Sequence, residues 1–165
     1  MEDLREQKQN QWITTEGDVS LWSIRMTKED LFNEVSTRSM YFVKTKSEQP
    51  ITSDSNVILD DDRNLYDRFM ETAITDLLVL VARRCDEAYP LINDNEALEL
   101  TLVMGENHDT HMLTPLANAC KEYLVCKVLE QWYEIPFGSD KQERKIIHTL
   151  QFRRKSVARR VRSLL

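Results

Sequence analysis

Apolar positions along this chain mark four helical segments and one short alternating run. The strongest stripe lies within residues 114–135, TPLANACKEYLVCKVLEQWYEI, where Leu116, Ala117, Cys120, Leu124, Val128 and Ile135 recur at the spacing of one helix face. Ala119, Tyr123, Cys126, Leu129 and Tyr133 form a second apolar stripe on the same segment. A helix apolar on two sides is either central to a core or shared between the core and a neighbouring subunit. Thr114 and Pro115 read as its cap and first helical residue, and Pro136 as its stop. Residues 61–89 carry the next long helical stripe, from Leu65 through Phe69, Ala73, Leu77 and Val81 to Ala88, with Pro90 following. Asp60, Asp61 and Asp62 place negative charge where the dipole of that helix favours it, and capping explains them better than metal binding.

The remaining elements are shorter. Thr27 opens T-K-E-D, a capping-box-like start for a helix ending near Ser39, with Leu31, Phe32 and Val35 on one face. The apolar MYFV at 40–43 would cover a core edge, and residues 44–56 are polar and turn-rich, a surface loop. Residues 97–104, ALELTLVM, switch to period two, with Leu98, Leu100, Leu102 and Met104 on one side. GENHD then turns and THML (110–113) returns as a second strand, giving a hairpin between helices that must pack on them or pair elsewhere. After PFGSD, with Ser139 or Asp140 as cap, a last helix presents Ile146, Ile147, Leu150, Val157, Val161, Leu164 and Leu165 on one face and folds back on the central helix. The expected architecture is mainly α: two long core helices, a basic C-terminal helix and a short N-terminal helix, with a small β-hairpin inserted.

Residues 1–26 show no sustained periodicity, and they are read as an N-terminal arm preceding a single helical domain at 27–165. Trp12 and Trp22 stand in that arm among polar residues. Either the leader packs back on the core, or it extends and anchors its tryptophans in a neighbour, as buried aromatics do at interfaces.

Composition fits one helix-rich domain: 165 residues, three Gly, four Pro and 30% charged residues. No apolar run approaches the roughly 20 residues of a membrane span, and the polar N-terminus does not resemble a secretory signal. Cys85, Cys120 and Cys126 read as reduced thiols serving as small core residues. His108 and His111 read as loop residues rather than a zinc pair, and no metal or cofactor is expected. No nucleophile–base pair or phosphate-binding glycine loop is visible, so no catalytic residue is assigned.

Charge changes the picture most. Residues 141–165 hold nine Lys or Arg against one acid, a net +8, leaving −14 on residues 1–140 of a chain whose total is −6. On a helical wheel Phe152 falls opposite the apolar face, beside Lys155, Arg159 and Arg162. An exposed aromatic among cations suits an interface with an acidic surface. The same cations suit phosphates, the basis of an alternative reading as a small helical nucleic-acid-binding regulator.

The order of elements, with DDDRNLYDRFMETA (60–73) and YLVCKVLEQWYEI (123–135) ending in the aromatic pair Trp132–Tyr133, resembles the head–tail connector (adaptor, or head-completion) proteins of tailed bacteriophages. The likeness runs from about residue 27 to 165. It implies a non-enzymatic virion protein of the head–tail junction, assembled in the host cytoplasm as a homo-oligomeric ring, commonly a dodecamer. Its partners would be the portal and tail or other neck proteins, with DNA passing through the channel without sequence-specific binding and no membrane involved. Candidate interface residues are Trp12, Trp22, Phe152, Lys155, Arg159 and Arg162.

Overall fold

The structure, a computed structural model, describes residues 12–17, 21–44, 57–85, 87–88, 92–93, 96–104, 109–134 and 141–165. Among these, β1 is Ile13–Gly17, β2 Leu21–Thr27, α1 Lys28–Lys44, α2 Arg63–Ala82, β3 Glu87–Ala88, β4 Ile92–Asn93, β5 Ala97–Val103, α3 Leu113–Glu134 and α4 Lys141–Leu164. The fold is mainly α with a small antiparallel sheet, as the periodicities predict.

α3 is the centre. Leu116, Leu124, Val125, Val128 and Leu129 are buried, and so are Cys120, Cys126, Trp132 and Tyr133. Its two apolar stripes are taken up by its own chain: α2, α1 and β1 pack on it, and α4 makes the most extensive contact of all. Of the two roles open to such a helix, it has the internal one. Short 3-10 turns precede both α2 (Asp60–Asp62) and α3 (Thr110–Met112). At the second, the Asp109 side chain accepts from the His111 N–H at 2.9 Å. Asp109 therefore supplies the start expected from Thr114, and Pro115 lies inside the first turn, where no intrahelical N–H is lost.

The sheet corrects the reading of the N-terminal region. β2 pairs antiparallel with β1 and with β5, from Leu21↔Val103 to Thr27↔Ala97. The expected boundary at residue 26 thus falls inside a strand, and residues 13–17 and 21–27 belong to the domain's sheet. The alternation Trp22, Ile24, Met26 puts three apolar side chains on the core face, where all are buried, and Leu21, Ser23 and Arg25 on the other. The partner of β5 is β2 on one edge and β3 and β4 on the other. Residues 110–112 form the turn into α3 and residue 113 begins that helix, rather than a return strand.

Two helix ends also differ from expectation. α2 stops at Ala82, not near residue 89. The Val81 carbonyl accepts from the Arg84 N–H at 3.0 Å and from the Cys85 thiol at 3.2 Å, which closes the last turn. Glu87 and Ala88 then pair with Val103 and Leu102, so the free edge of β5 takes residues that the helical stripe had claimed. α1 runs through MYFV to Lys44 instead of ending near Ser39. Its first N–H, on Lys28, donates to the Glu96 carbonyl at 2.9 Å, which fixes the helix start against the beginning of β5. Ser39 is buried and accepts from the Ile58 N–H at 3.0 Å, while Ser36 donates to the Ile58 carbonyl at 2.7 Å. Two serines one helical turn apart thereby hold Val57 and Ile58 against α1. The expected loop at 44–56 and the PFGSD connection lie outside the described residues, apart from Lys44.

Candidate functional site

α4 is amphipathic in the strict sense. Ile146, Leu150, Ala158 and Val161 are buried against the rest of the fold, and Ile147, Val157, Leu164 and Leu165 pack partly. At 100° per residue Phe152 lies on the far side of the helix from Leu150 and Val161. It is 77% exposed, the most exposed of the large apolar side chains described. Lys155 and Arg159 follow at i+3 and i+7 on the same face, with Arg162 at its margin, and all three are exposed. Lys155 and Arg159 make no ion pair among the described residues; Arg162 donates from Nε to the Ala158 carbonyl at 3.3 Å.

Arg154 points the other way. It donates from Nε to Glu130 Oε2 at 2.6 Å, which joins α4 to an α3 carboxylate buried with the core. Desolvation works against the Arg154 charge, but Glu130 more than compensates and raises its pKa. The basic helix is thus anchored by one cation and leaves its outer ones to solvent.

The tryptophans are placed differently. Trp22 is 0% exposed and belongs to the chain's own core, so the expectation that it anchors in a neighbour is overturned. β2 alternation, invisible as a helical period, supplies the apolar neighbours that a disordered leader would lack. Trp12 is half-buried and packs against the same core, and its carbonyl accepts from the Thr27 N–H at 3.2 Å. Both belong to the N-terminal hairpin region, so the six expected interface residues do not form one surface. Four of them, Phe152, Lys155, Arg159 and Arg162, do.

A second surface was not anticipated. α1, α2 and the start of β5 enclose a groove of about 570 Å³. Its floor includes the buried Leu31, Phe32, Tyr66, Met70 and Leu98. Its rim carries Glu29, Asp67, Glu71 and Glu96 against Lys28 and Arg63. Arg63 bridges α2 and α1: Nη2 donates to Glu29 Oε1 at 2.8 Å and Nη1 to Oε2 at 3.0 Å. It also reaches Asp60 Oδ1 at 3.2 Å. The guanidinium lies 4.1 Å from the Phe32 ring centroid, and Phe32 meets Tyr66 edge-on at 4.9 Å. Hydrogen bonding to Arg63 lowers the Glu29 pKa, and burial raises that of the Tyr66 phenol. Asp67 and Glu71 are exposed and make no ion pair among the described residues. The sequence shows only the α2 side of this site, two acids four apart on one helix face; the groove itself needs α1 and β5 beside them.

A charged cluster elsewhere is structural. Arg38 on α1 donates to Glu122 Oε2 on α3 at 2.7 Å and to Glu34 at 3.0 Å, and Lys121 reaches Glu122 at 3.0 Å. Burial pushes the Cys120 thiol up to about 12 and contributes most to holding Cys126 near 11, which leaves both unreactive as packing residues. Among the described residues no three His, Cys, Asp or Glu come together as a metal site, and no helix is long and apolar enough to cross a membrane. Trp132 and Tyr133, the aromatic pair of the connector likeness, are core residues; Tyr133 donates to the Ser39 carbonyl at 3.3 Å. No family model, no curated protein and no solved structure matches this chain.

Proposed function

We propose that this chain is a structural subunit of a tailed-phage neck, assembling as a ring that joins portal to tail and extends the DNA channel. The observation that carries the reading is Phe152, 77% exposed on a helix whose other described apolar side chains are buried or half-buried, and flanked by the exposed cations Lys155, Arg159 and Arg162. A solvated basic helix gains nothing from an aromatic at that position, whereas an aromatic within a cationic rim is the composition of an interface anchor. The likeness of residues 60–73 and 123–135 to head–tail connector proteins supplies the identity of the assembly. The acidic body, −14 over residues 1–140, suits a channel wall that DNA must pass without adhering. With most of α3 buried by its own chain, the outer face of α4 is the better candidate for a subunit contact.

A second reading, a nucleic-acid-binding regulator, is favoured by the same helix, where Arg153, Lys155, Arg159 and Arg160 are exposed without a carboxylate partner among the described residues. Electron microscopy and sedimentation of the purified protein, alone and with portal, decide between them. Ring-shaped particles that disperse when Lys155, Arg159 and Arg162 are reversed to Glu, with helicity unchanged, support the neck subunit. A monomer that binds duplex DNA tightly, with affinity falling steeply as salt rises and lost in the same triple variant, establishes the regulator instead.

A further inference from the structure

The exposed stripe of α4 and the groove between α1 and α2 are complementary in polarity, charge and spacing. The first is polarity: an exposed aromatic, Phe152, on one side, and on the other a concave surface of about 570 Å³ with an apolar floor. The second is charge. The stripe is cationic, and the groove rim carries four acids against two bases, one of which, Arg63, is held by Glu29 and Asp60. The third is spacing. Lys155 and Arg159 are four residues apart on α4, and Asp67 and Glu71 are four apart on α2; each pair spans about 6 Å along its helix. Two like charges at that spacing repel within each helix, and opposing the pairs relieves both repulsions.

We propose that copies of this chain associate head to tail, the Phe152 stripe of one seated in the α1–α2 groove of the next, with Lys155 and Arg159 meeting Asp67 and Glu71. The two surfaces lie on different elements and share no residue, so a single such contact is heterologous: repeated, it propagates and closes into a ring when the rotation allows, whereas two contacts made reciprocally would close a dimer, which the oligomer size distinguishes. A two-fold contact between α4 stripes would instead place like charges together. The mode is a helix laid in a groove, with one aromatic anchor and flanking charges that fix register and speed encounter. The proposal deepens the ring-subunit reading and rests on it for the premise that copies of the chain meet.

Complementary charge reversal tests it. One variant carries Lys155→Glu and Arg159→Glu, and the other Asp67→Lys and Glu71→Lys; all four positions are exposed, so far-UV circular dichroism should match wild type for both. Sedimentation is followed from micromolar to millimolar protein. Each variant alone presents like charges to itself and should associate more than about a hundredfold more weakly than wild type. An equimolar mixture presents opposite charges at both contacts, and so does one chain carrying all four changes; both should recover oligomers of wild-type size. Phe152→Ala should weaken assembly without being rescued by either charge variant. If wild type assembles and both reversal variants assemble equally well, or if mixing restores nothing, this contact is wrong and the ring reading survives with another interface. If wild type stays a single copy at every concentration, the ring reading itself falls, and this contact with it.

Discussion

Glu130, buried to 4% exposure on α3, pairs with Arg154 on α4, with Arg154 Nε 2.6 Å from Glu130 Oε2. Glu130 is buried on the central helix beside Val128, Leu129, Trp132 and Tyr133, and its partner comes from the helix that carries the candidate interface. The pair therefore fixes how α4 rotates on α3, and with that the direction in which Phe152 points. Truncating Arg154 to Ala leaves a buried carboxylate without its cation and should cost about 3–5 kcal/mol in urea denaturation. Replacing both, Glu130→Leu with Arg154→Met, removes the desolvation cost along with the attraction and should fall within about 1–2 kcal/mol of wild type. If Arg154→Ala alone proved as stable as wild type, the pair would be an incidental contact rather than the anchor of α4.

Acid should loosen the contact of α1 with α3. Burial by itself raises the Glu122 carboxyl, but hydrogen bonds and charge from Arg38 and Lys121 outweigh it and bring it down to about 2. A carboxyl depressed in the folded state stabilises fully above its unfolded value, near 4.5, and loses that contribution as pH falls towards 2. With the side chain about a quarter exposed, the contribution is on the order of 1–3 kcal/mol after allowing for solvent screening. Stability measured from pH 6 to pH 2 should fall in wild type through this window, and the fall should be smaller in Arg38→Gln. A parallel pH profile in the variant would remove Glu122 as a source of acid sensitivity.

What the sequence shows and what it hides follow from the range over which each element is decided. α3 and α4 repeat their apolar positions for five turns or more, so local periodicity alone is enough. β5 announces itself by alternation. β2 alternates too, as Trp22, Ile24 and Met26, but three apolar positions inside a polar leader carry little weight until β5 is known to lie beside them. The end of α2 is decided at longer range still: Cys85 and Ala88 continue its stripe, yet Ala88 is drawn to Leu102 because β5 has an edge to fill. At the candidate site, the α4 face could be read from one helix. The groove required knowing that α1, α2 and β5 meet, which no single segment encodes. The burial of Trp22 is hidden for the same reason, since Leu102 of β5, its partner in the sheet, lies 80 residues further along the chain.

The two serines of α1 should differ in effect although they bind the same residue. Ser39 is 0% exposed and is the acceptor for the Ile58 N–H, so Ser39→Ala leaves that donor buried and unpaired, at a cost of about 1–3 kcal/mol. Ser36 is half-buried, and water can replace its hydrogen bond to the Ile58 carbonyl; Ser36→Ala should cost only about 0.5–1.5 kcal/mol. Denaturation midpoints of the two variants, compared at equal m-value, check the order. Equal losses would mean that Ile58 is held by its side chain, not by the serines.

Gly17 sits at the end of β1 where the hairpin approaches α3. A Cβ there would stand 2.8 Å from Trp22 Cδ1, 2.9 Å from the Leu21 carbonyl oxygen and 3.0 Å from Leu113 Cδ2. The carbonyl is backbone and cannot rotate away, so the strand itself would have to move. Gly17→Ala should lower stability by about 1–3 kcal/mol despite the residue's solvent exposure, and Gly17→Val by more. A neutral Gly17→Ala in thermal unfolding would show that the β1 end is free to shift.

The N-terminal hairpin offers the sharpest reversal of expectation. An accessory arm could be removed and leave a folded domain, with loss only of assembly. Here removal of residues 1–25 would delete all of β1 and the first five residues of β2, including Trp22 and Ile24, whose side chains are fully enclosed. It would also strip β5 of its long antiparallel partner and open the core face of Leu98, Leu100 and Leu102 to water. Trp22→Ala alone should cost about 3–5 kcal/mol, a large share of the roughly 5–15 kcal/mol that holds a domain of this kind together. The full deletion should therefore abolish cooperative unfolding and leave a species that binds a hydrophobic dye and has lost near-ultraviolet circular dichroism. Trp22→Phe, which keeps an aromatic in the same space, should lie much closer to wild type than Trp22→Ala. A truncated chain that melts in one cooperative transition near the wild-type temperature would return residues 13–25 to the status of an appendage, and the hairpin would then have to be explained by what it contacts in an assembly.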